Sequence, residues 1–321
     1  MTKTAIVTGA CSGIGLSLVR RLLHDFDSGE HQQWRVVLAD INVDSYKAVK
    51  STLPHLTRGE PRHLFVRTDV TNWNNLVDLF RTSFEWPGDG QGRIDFVACN
   101  AGIDDHALKN GLLDDDDGGG GEAVPTQPDL KVLQVDLHSI FYATKLLVHF
   151  TRKSRKMTSL HDDWKPRLVV TASMAAQYPF FLIPQYTAAK HGCLGLVRAL
   201  APALLKHEGI SLNCVMPGTV DTGLIPPPVM AQWPTQHLTP LDTVMRAFME
   251  LIGDWERAEL SRGVESDVPD RELKNGCAVE CSSNWLWYRD PVPFKDESMR
   301  FVADQSREEG ILGQFASTLR G

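Results

Sequence analysis

The sequence carries no excess of basic residues. Its 33 Lys and Arg stand against 40 Asp and Glu, a formal charge of −7. No cationic footprint is available for a phosphate backbone or an anionic lipid surface, so neither nucleic acid nor a membrane is an expected partner. Cysteine is sparse and unpaired by spacing. Cys11, Cys99, Cys193, Cys214, Cys277 and Cys281 form no CxxC, and the nearest two lie four apart. This argues against a disulfide framework or a zinc site, leaves no metal expected, and fits a reduced cytosol. No run approaches the roughly 18 uninterrupted apolar residues of a membrane span. The β-branched run Thr4-Ala-Ile-Val-Thr8 comes so early that no charged region and apolar signal segment fit before it. A cytoplasmic location is therefore the expectation.

What is present is a regular alternation. The chain has 321 residues, 42% of them hydrophobic, enough for one large domain or two modest ones. Short β-branched runs at 4–8, 35–39, 63–67, 94–99, 167–172 and 210–215 alternate with helical spacing at 14–23, 73–84, 130–150 and 186–205. This predicts an α/β fold, a Rossmann-type doubly wound parallel sheet in one domain over 1–222. Residues 223–321 show no strand series of their own. They are expected to form a lid, the last helix or strand of the core, and a C-terminal extension holding Trp233, Trp255, Trp285 and Trp287. Asp114 to Asp117 followed by Gly118 to Gly121 predicts a mobile surface insertion over 111–122. Ordering those carboxylates around a metal would be costly on glycine backbone.

Thr8-Gly9-Ala10-Cys11-Ser12-Gly13-Ile14-Gly15 follows a predicted strand and opens a predicted helix. Glycines there permit a tight turn and let a pyrophosphate reach backbone N–H groups at the helix N-terminus. Gly9, Ser12, Gly13, Ile14 and Gly15 are therefore candidate cofactor contacts. Asp40, followed by Ile41, closes the second strand, where a carboxylate can accept both adenine-ribose hydroxyls and repels a 2′-phosphate. Further along, Ser173 ends a hydrophobic strand thirteen residues before Tyr186, and Tyr186 and Lys190 lie four apart on one helix face. An ammonium beside a phenol favours the phenolate, which predicts a lowered Tyr186 pKa.

Together these motifs resemble the short-chain dehydrogenase/reductase family from Thr4 to about Thr222, and again weakly near Gly276. The TGxxxGxG spacing is that family's. Asn100-Ala101-Gly102 matches its NAG motif, which supports the sheet and borders the cofactor ribose. Asp69-Val70 matches its adenine contact, and Pro217-Gly218-Thr219-Val220-Asp221-Thr222 matches the segment flanking nicotinamide, with Pro217, Gly218, Val220 and Thr222 as contacts. NADP-preferring members carry an Arg or Lys just after the acidic position or before the second glycine. Here those places hold Ile41-Asn42 and Ser12, so the resemblance implies NAD. It further implies that Tyr186 takes the substrate hydroxyl proton while hydride passes to nicotinamide, that Ser173 holds the same oxygen, and that Lys190 holds the ribose and tunes Tyr186. The family asparagine of the proton relay is replaced by Asp136. Two readings stand: the relay survives with an altered pH profile, or backbone contacts carry the role. Members form homodimers or homotetramers through the helices holding Asp136 and Tyr186.

Within the family the chain is similar to the hydroxyprostaglandin dehydrogenase-like branch, which includes fungal alcohol dehydrogenases of secondary metabolism. Relatives of the prostaglandin enzyme place a glutamine where this chain has Ile183, which points away from prostaglandins. The bulky apolar segment between Ser173 and Tyr186 and the run from Leu224 to Trp233 suggest a large lipophilic or aromatic secondary alcohol or ketone. Ala175, Gln177, Ile183 and Trp233 are its candidate contacts. The expected activity is an NAD-dependent alcohol dehydrogenase. The alternatives are an NADPH-dependent ketoreductase and, from another class, a non-redox cofactor-binding sensor or template for a rearrangement.

Overall fold

The computed structural model describes residues 2–24, 33–54, 56–57, 60–105, 126–157, 164–267 and 271–318. The expected insertion at 111–122 lies outside them. Residues 1–288 form one compact unit and 289–321 another.

In the first unit the β-branched runs lie parallel, and all but the half-buried edge strand β3 are buried on both sides, as strands sandwiched between helix layers must be. They are β1 (Lys3–Thr8), β2 (Trp34–Asp40), β3 (His63–Arg67), β4 (Phe96–Cys99), β5 (Arg167–Thr171) and β6 (Ser211–Pro217). The connecting helices are α1 (Gly13–Leu22), α2 (Val43–Val49), α3 (Trp73–Glu85), α4 (Ser139–Met157) and α5 (Pro184–Glu208), followed by α6 (Leu241–Ile252). Successive strand side chains point to opposite faces. Ile6, Leu168 and Val170 join Phe80, Phe150 and Val197 on the face covered by α3, α4 and α5. Ala5, Val7 and Val169 join Leu18, Phe248 and Met249 on the face covered by α1 and α6.

The sheet continues past the six expected strands. Its order is β3-β2-β1-β4-β5-β6-β8-β9-β7, where β7 is Glu265–Ser266, β8 Ala278–Ser282 and β9 Trp285–Tyr288. The reading of the tail as lacking a strand series is corrected here. β8 adds parallel to β6, and β9 turns back antiparallel through Ser283, whose φ is 48°. Two of the four tail tryptophans belong to this edge. Leu286 points into the core, whereas Trp285 and Trp287 project to the other face and stack at 5.2 Å. The aromatic run Trp285-Leu286-Trp287-Tyr288 was the available signal, confined to four residues. The expected continuous helix at 130–150 is also interrupted. A short α-turn (Lys131–Leu133) passes into a π-helical turn (Gln134–His138) before α4 begins.

β1 is the point from which the strand order runs outward in both directions. In open α/β sheets such a switch point is where ligands bind, beyond the carboxyl ends of the strands, and Gly9 and Asn100 directly follow the ends of β1 and β4 there. Among the described residues no helix is long and apolar enough to cross a membrane.

The second unit holds two short helices, α7 (Glu297–Gln305) and α8 (Ile311–Thr318). Asp296 caps α7 by accepting the Met299 amide at 2.8 Å. Met299, Phe301, Val302, Ile311 and Leu312 are exposed.

The residues after α6 are fastened to the nucleotide half of the sheet by a buried guanidinium. Arg257, 1% exposed, donates to Asp254 at 2.9 Å and to the Arg21 and His24 carbonyls at 3.2 and 3.1 Å. It thereby satisfies acceptors left over at the end of α1. Asp254 also accepts Trp34 Nε1 at 2.8 Å. Arg257→Ala removes the cation paired with the buried Asp254 carboxylate, and should cost about 3–5 kcal/mol of folding free energy. Chemical denaturation followed by far-UV circular dichroism should show the lower midpoint.

Candidate active site

The turn from β1 into α1 is built for close backbone approach. Gly9 and Gly13 take φ of 61° and 49°, where a side chain is strained. At Gly15 a Cβ would lie 2.1 Å from the Gly9 carbonyl oxygen, so α1 starts against the turn only because no side chain intervenes. Ser12, exposed, occupies the N-cap without bonding a helix amide itself, and Gly13, Ile14 and Gly15 begin the helix. The first-turn amides are therefore presented to an anion. Thr222 packs over this turn, its Cβ placed where a Gly13 side chain would collide.

Asp40 lies at the end of β2 beside that turn. Its two oxygens accept the Cys11 and Asn42 amides, each at 2.9 Å. Each oxygen retains capacity for one further donor, which suits the two hydroxyls of a ribose. Ile41 is exposed next to it, and no cation stands at 41, 42 or 12. Burial and the Asp40 charge push the Cys11 thiol up to about 12, which leaves that cysteine inert at neutral pH. Beyond β3, Asp69 accepts the Thr71 amide and hydroxyl at 2.9 and 2.7 Å, and Val70 is buried.

Asn100 ties three strand ends together. Its amide nitrogen donates to the Thr8 carbonyl at 3.0 Å, and its side-chain oxygen accepts the Thr171 hydroxyl at 3.0 Å. The Thr8 hydroxyl in turn accepts the Asn100 and Ala101 amides at 2.9 and 3.1 Å. The Pro217–Thr222 segment is held by the tail: Gly218 N–H donates to the Cys281 carbonyl at 2.9 Å, and Thr239 N–H to the Thr219 carbonyl at 2.7 Å. Val220 is buried there.

Ser173, Tyr186, Lys190 and Asp136 converge beyond β5. Ser173 caps a 3-10 turn (Met174–Ala176), its hydroxyl accepting the Ala175 amide at 3.1 Å, and it acts on the Tyr186 phenol in favour of the ionised form. The Lys190 ammonium lies 5.2 Å from the Tyr186 ring centre. It donates to the Thr171 carbonyl at 2.8 Å and meets Asp136 Oδ2 at 3.0 Å, both side chains being buried. The other Asp136 oxygen accepts the Ile103 amide at 2.9 Å, one residue past Gly102. The π-helical turn carries Asp136 inward. Gly192 lets α5 come up against it, since a Cβ there would lie 2.8 Å from Leu137 Cδ2.

The electrostatics of this cluster differ from the sequence expectation. Burial drives the Tyr186 pKa up, and the Asp136 and Asp104 charges add to it. Lys190 and Ser173 act downward without outweighing them. The predicted lowering of the phenol is therefore corrected: the ring keeps some exposure, but the hydroxyl lies too deep for one ammonium to prevail. Burial alone would lower Lys190, yet the Asp136 carboxylate beside it holds the pKa above the ordinary lysine value. Burial also raises Asp136, against the pull of Lys190 and the Ile103 amide.

The four candidate substrate contacts are distributed unevenly. Gln177 and Ile183 are half-buried in the segment between Ser173 and α5, and Trp233 is exposed beyond a one-turn helix (Pro227–Met230). Ala175 is buried with its side chain in the core, and touches the site through its amide. Sequence reasoning missed Asp105. Its carboxylate accepts the Gln185 and Tyr186 amides at 2.9 and 2.7 Å across a separation of about eighty residues, which no local pattern announces.

The family model described as short chain dehydrogenase matches residues 3–227. The chain is 29% identical over 307 residues to the short-chain dehydrogenase/reductase prx6 of Penicillium rubens, covering 91% of this chain and 87% of that one. It is 29% identical over 221 residues to the NADP-dependent dehydrogenase clz5 of Cochliobolus lunatus, covering 68% and 71%. It is 26% identical over 291 residues to 15-hydroxyprostaglandin dehydrogenase [NAD(+)] of Mus musculus, covering 90% and 93%. Among solved structures, 3-ketoacyl-(acyl-carrier-protein) reductase from Brucella melitensis complexed with NADH shares the fold, with a TM-score of 0.62 at 20% identity over 87% of this chain and 96% of that one. With its parallel sheet, glycine turn and family match over most of its length, this chain belongs to the short-chain dehydrogenase/reductase family of oxidoreductases.

Proposed function

We propose that the protein is a cytoplasmic NAD-dependent dehydrogenase that interconverts a bulky, lipophilic or aromatic secondary alcohol and its ketone. The observation that carries this reading is the convergence of Ser173, Tyr186 and Lys190 at the end of β5, facing the crevice that the glycine turn and Asp40 border. The residues fit the cofactor: the amides of the Gly9 to Gly15 turn would hold its pyrophosphate, Asp40 would accept the ribose hydroxyls, and the Asn100 and Pro217 segments would border its nicotinamide half. When bound, nicotinamide supplies the hydride acceptor for oxidation or the donor for reduction.

The chain's own residues handle the proton. Tyr186 removes it from the substrate hydroxyl, or returns it to a carbonyl oxygen. Ser173, whose oxygen already accepts the Ala175 amide, keeps its own hydrogen to donate to the substrate oxygen. Lys190 uses two of its three hydrogens on Thr171 and Asp136, leaving the third for the ribose side and its charge for the phenolate. The apolar groups flanking the cleft, Phe181 and Leu182 before α5 and Val229 and Trp233 after β6, are exposed and available to a lipophilic substrate. A homodimer or homotetramer through α4 and α5 accompanies this reading. The NADP-dependent relative clz5 favours a second reading, an NADPH ketoreductase; the Asp40 carboxylate opposes it, because it would face the 2′-phosphate.

Tyr186→Phe should lower turnover of a hydrophobic secondary alcohol by at least about a hundredfold, with NAD binding retained in fluorescence titration. Persistence of activity would remove Tyr186 as the base. Asp40→Ala should narrow the NAD-over-NADP preference in kcat/KM, and a native preference for NADP would decide for the second reading. With the phenol held high, oxidation should accelerate toward alkaline pH. Asp136→Asn removes a negative charge that disfavours the phenolate, so the rising limb of kcat/KM for oxidation should move to lower pH. An unchanged pH profile would assign Asp136 no role beyond its shape.

A further inference from the structure

The start of α5 is capped from a distance. The residue in the N-cap position, Ile183, has no side-chain acceptor, and the first helical residue, Pro184, has no N–H to satisfy. Thr187 N–H is already bonded to the Ile183 carbonyl at 2.9 Å. The first turn therefore has two amides in need of acceptors, those of Gln185 and Tyr186. The Asp105 carboxylate takes both, one oxygen to each, at 2.9 and 2.7 Å. A carboxylate in this place also complements the positive end of the helix. Asp105 stands three residues beyond the Asn100-Ala101-Gly102 turn, whose own backbone is pinned to Thr8 and, through Ile103, to Asp136. Gln185 adds a second tie, its side-chain nitrogen donating to the Asp129 carbonyl at 2.8 Å just before the turn that leads to Asp136.

We infer that Asp105 is a positioning residue for Tyr186. By clamping the backbone of the tyrosine to the segment after β4, it fixes where the phenol stands relative to Ser173 and Lys190. It acts through the main chain and does not touch the reacting atoms. This inference rests on the proposed role of Tyr186 as the base. Asp105 is distinct from Asp136, which acts through Lys190, and from Asp104, which bears on the phenol only through its charge.

Asp105→Ala removes both acceptors. Asp105→Asn keeps one carbonyl oxygen and turns the other position into a donor facing a donor. With the full chain, NAD and a hydrophobic secondary alcohol, Asp105→Ala should lower kcat on the order of 10- to 100-fold, the scale at which misplacement of a reacting group is felt. Asp105→Asn should fall between it and wild type. The Kd for NAD should change by less than about threefold, since the cradle contacts of the glycine turn are untouched. If loss of kcat merely tracked a loss of folded, NAD-binding protein, or if folded Asp105→Ala kept wild-type kcat, the inference would be overturned.

A second readout needs no turnover. With ring-labelled tyrosine, the Tyr186 signal is identified among the five tyrosines by its disappearance in Tyr186→Phe, and its titration is followed in wild type and in both Asp105 variants. A displaced midpoint or chemical shift is expected, and identical titrations would count against the clamp even if Asp105→Ala were too unstable for kinetics, since Asp105→Asn would serve. Should the wild type turn over no alcohol at all, the reading of the activity fails, and the titration still decides the positioning of Tyr186.

Discussion

One buried cation organises the carboxyl edge of the sheet. The Lys190 ammonium lies almost entirely out of water, where an isolated charge is prohibitive, and it is tolerated because Asp136 and the Thr171 carbonyl surround it. That requirement reaches into the backbone. Asp136 must come inward, which the π-helical turn accomplishes, and α5 must come close, which Gly192 permits. The same pair sets the local potential. A carboxylate where the family usually has an amide strengthens the lysine's charge while opposing the phenolate, so two neighbours of Tyr186 pull in opposite directions.

Around this pair the elements are joined at their ends rather than along their lengths. Asn100 links β1, β4 and β5, Asp105 links the segment after β4 to α5, and the tail holds the Pro217 to Thr222 segment through Cys281 and Thr239. Each joint is a polar group satisfied by a partner far away in sequence, at the place where strands stop supplying ladder bonds to one another. The proposed cofactor and substrate crevice is bordered by these joints. Arg257 does the corresponding work at the other end of α1, so that the segments on either side of the sheet's switch point are fixed from both directions.

Much of this was legible in the chain. The alternation of β-branched runs with helical spacing placed six strands of a parallel sheet, because burial on both faces forces near-continuous apolar strands and leaves a distinct composition. The glycine turn, Asp40, Ser173, Tyr186 and Lys190 were legible as candidates because their spacing is local: a tight turn, a strand end, and two residues four apart on a helix. The three strands of the tail were not, since β7 spans only two residues, Glu280 interrupts the apolar run of β8, and one face of β9 shows tryptophans outward, against the usual pattern of apolar residues inside. The interruption at Gln134–His138 left no mark either, because its side chains keep helical spacing.

The sequence by itself determined the fold class, which follows from periodicity, and the candidate nucleotide turn and candidate proton-transfer residues, which follow from short-range spacing and the family resemblance it carries. Only the tertiary structure decided the direction of the Tyr186 shift, because that depends on how deeply the phenol sits and which charges face it. It alone placed Asp136 against Lys190 at 3.0 Å and brought Asp105 to the amides of Gln185 and Tyr186. These are contacts between residues tens of positions apart, and they exist only once the sheet has brought the ends of β4 and β5 to the same edge.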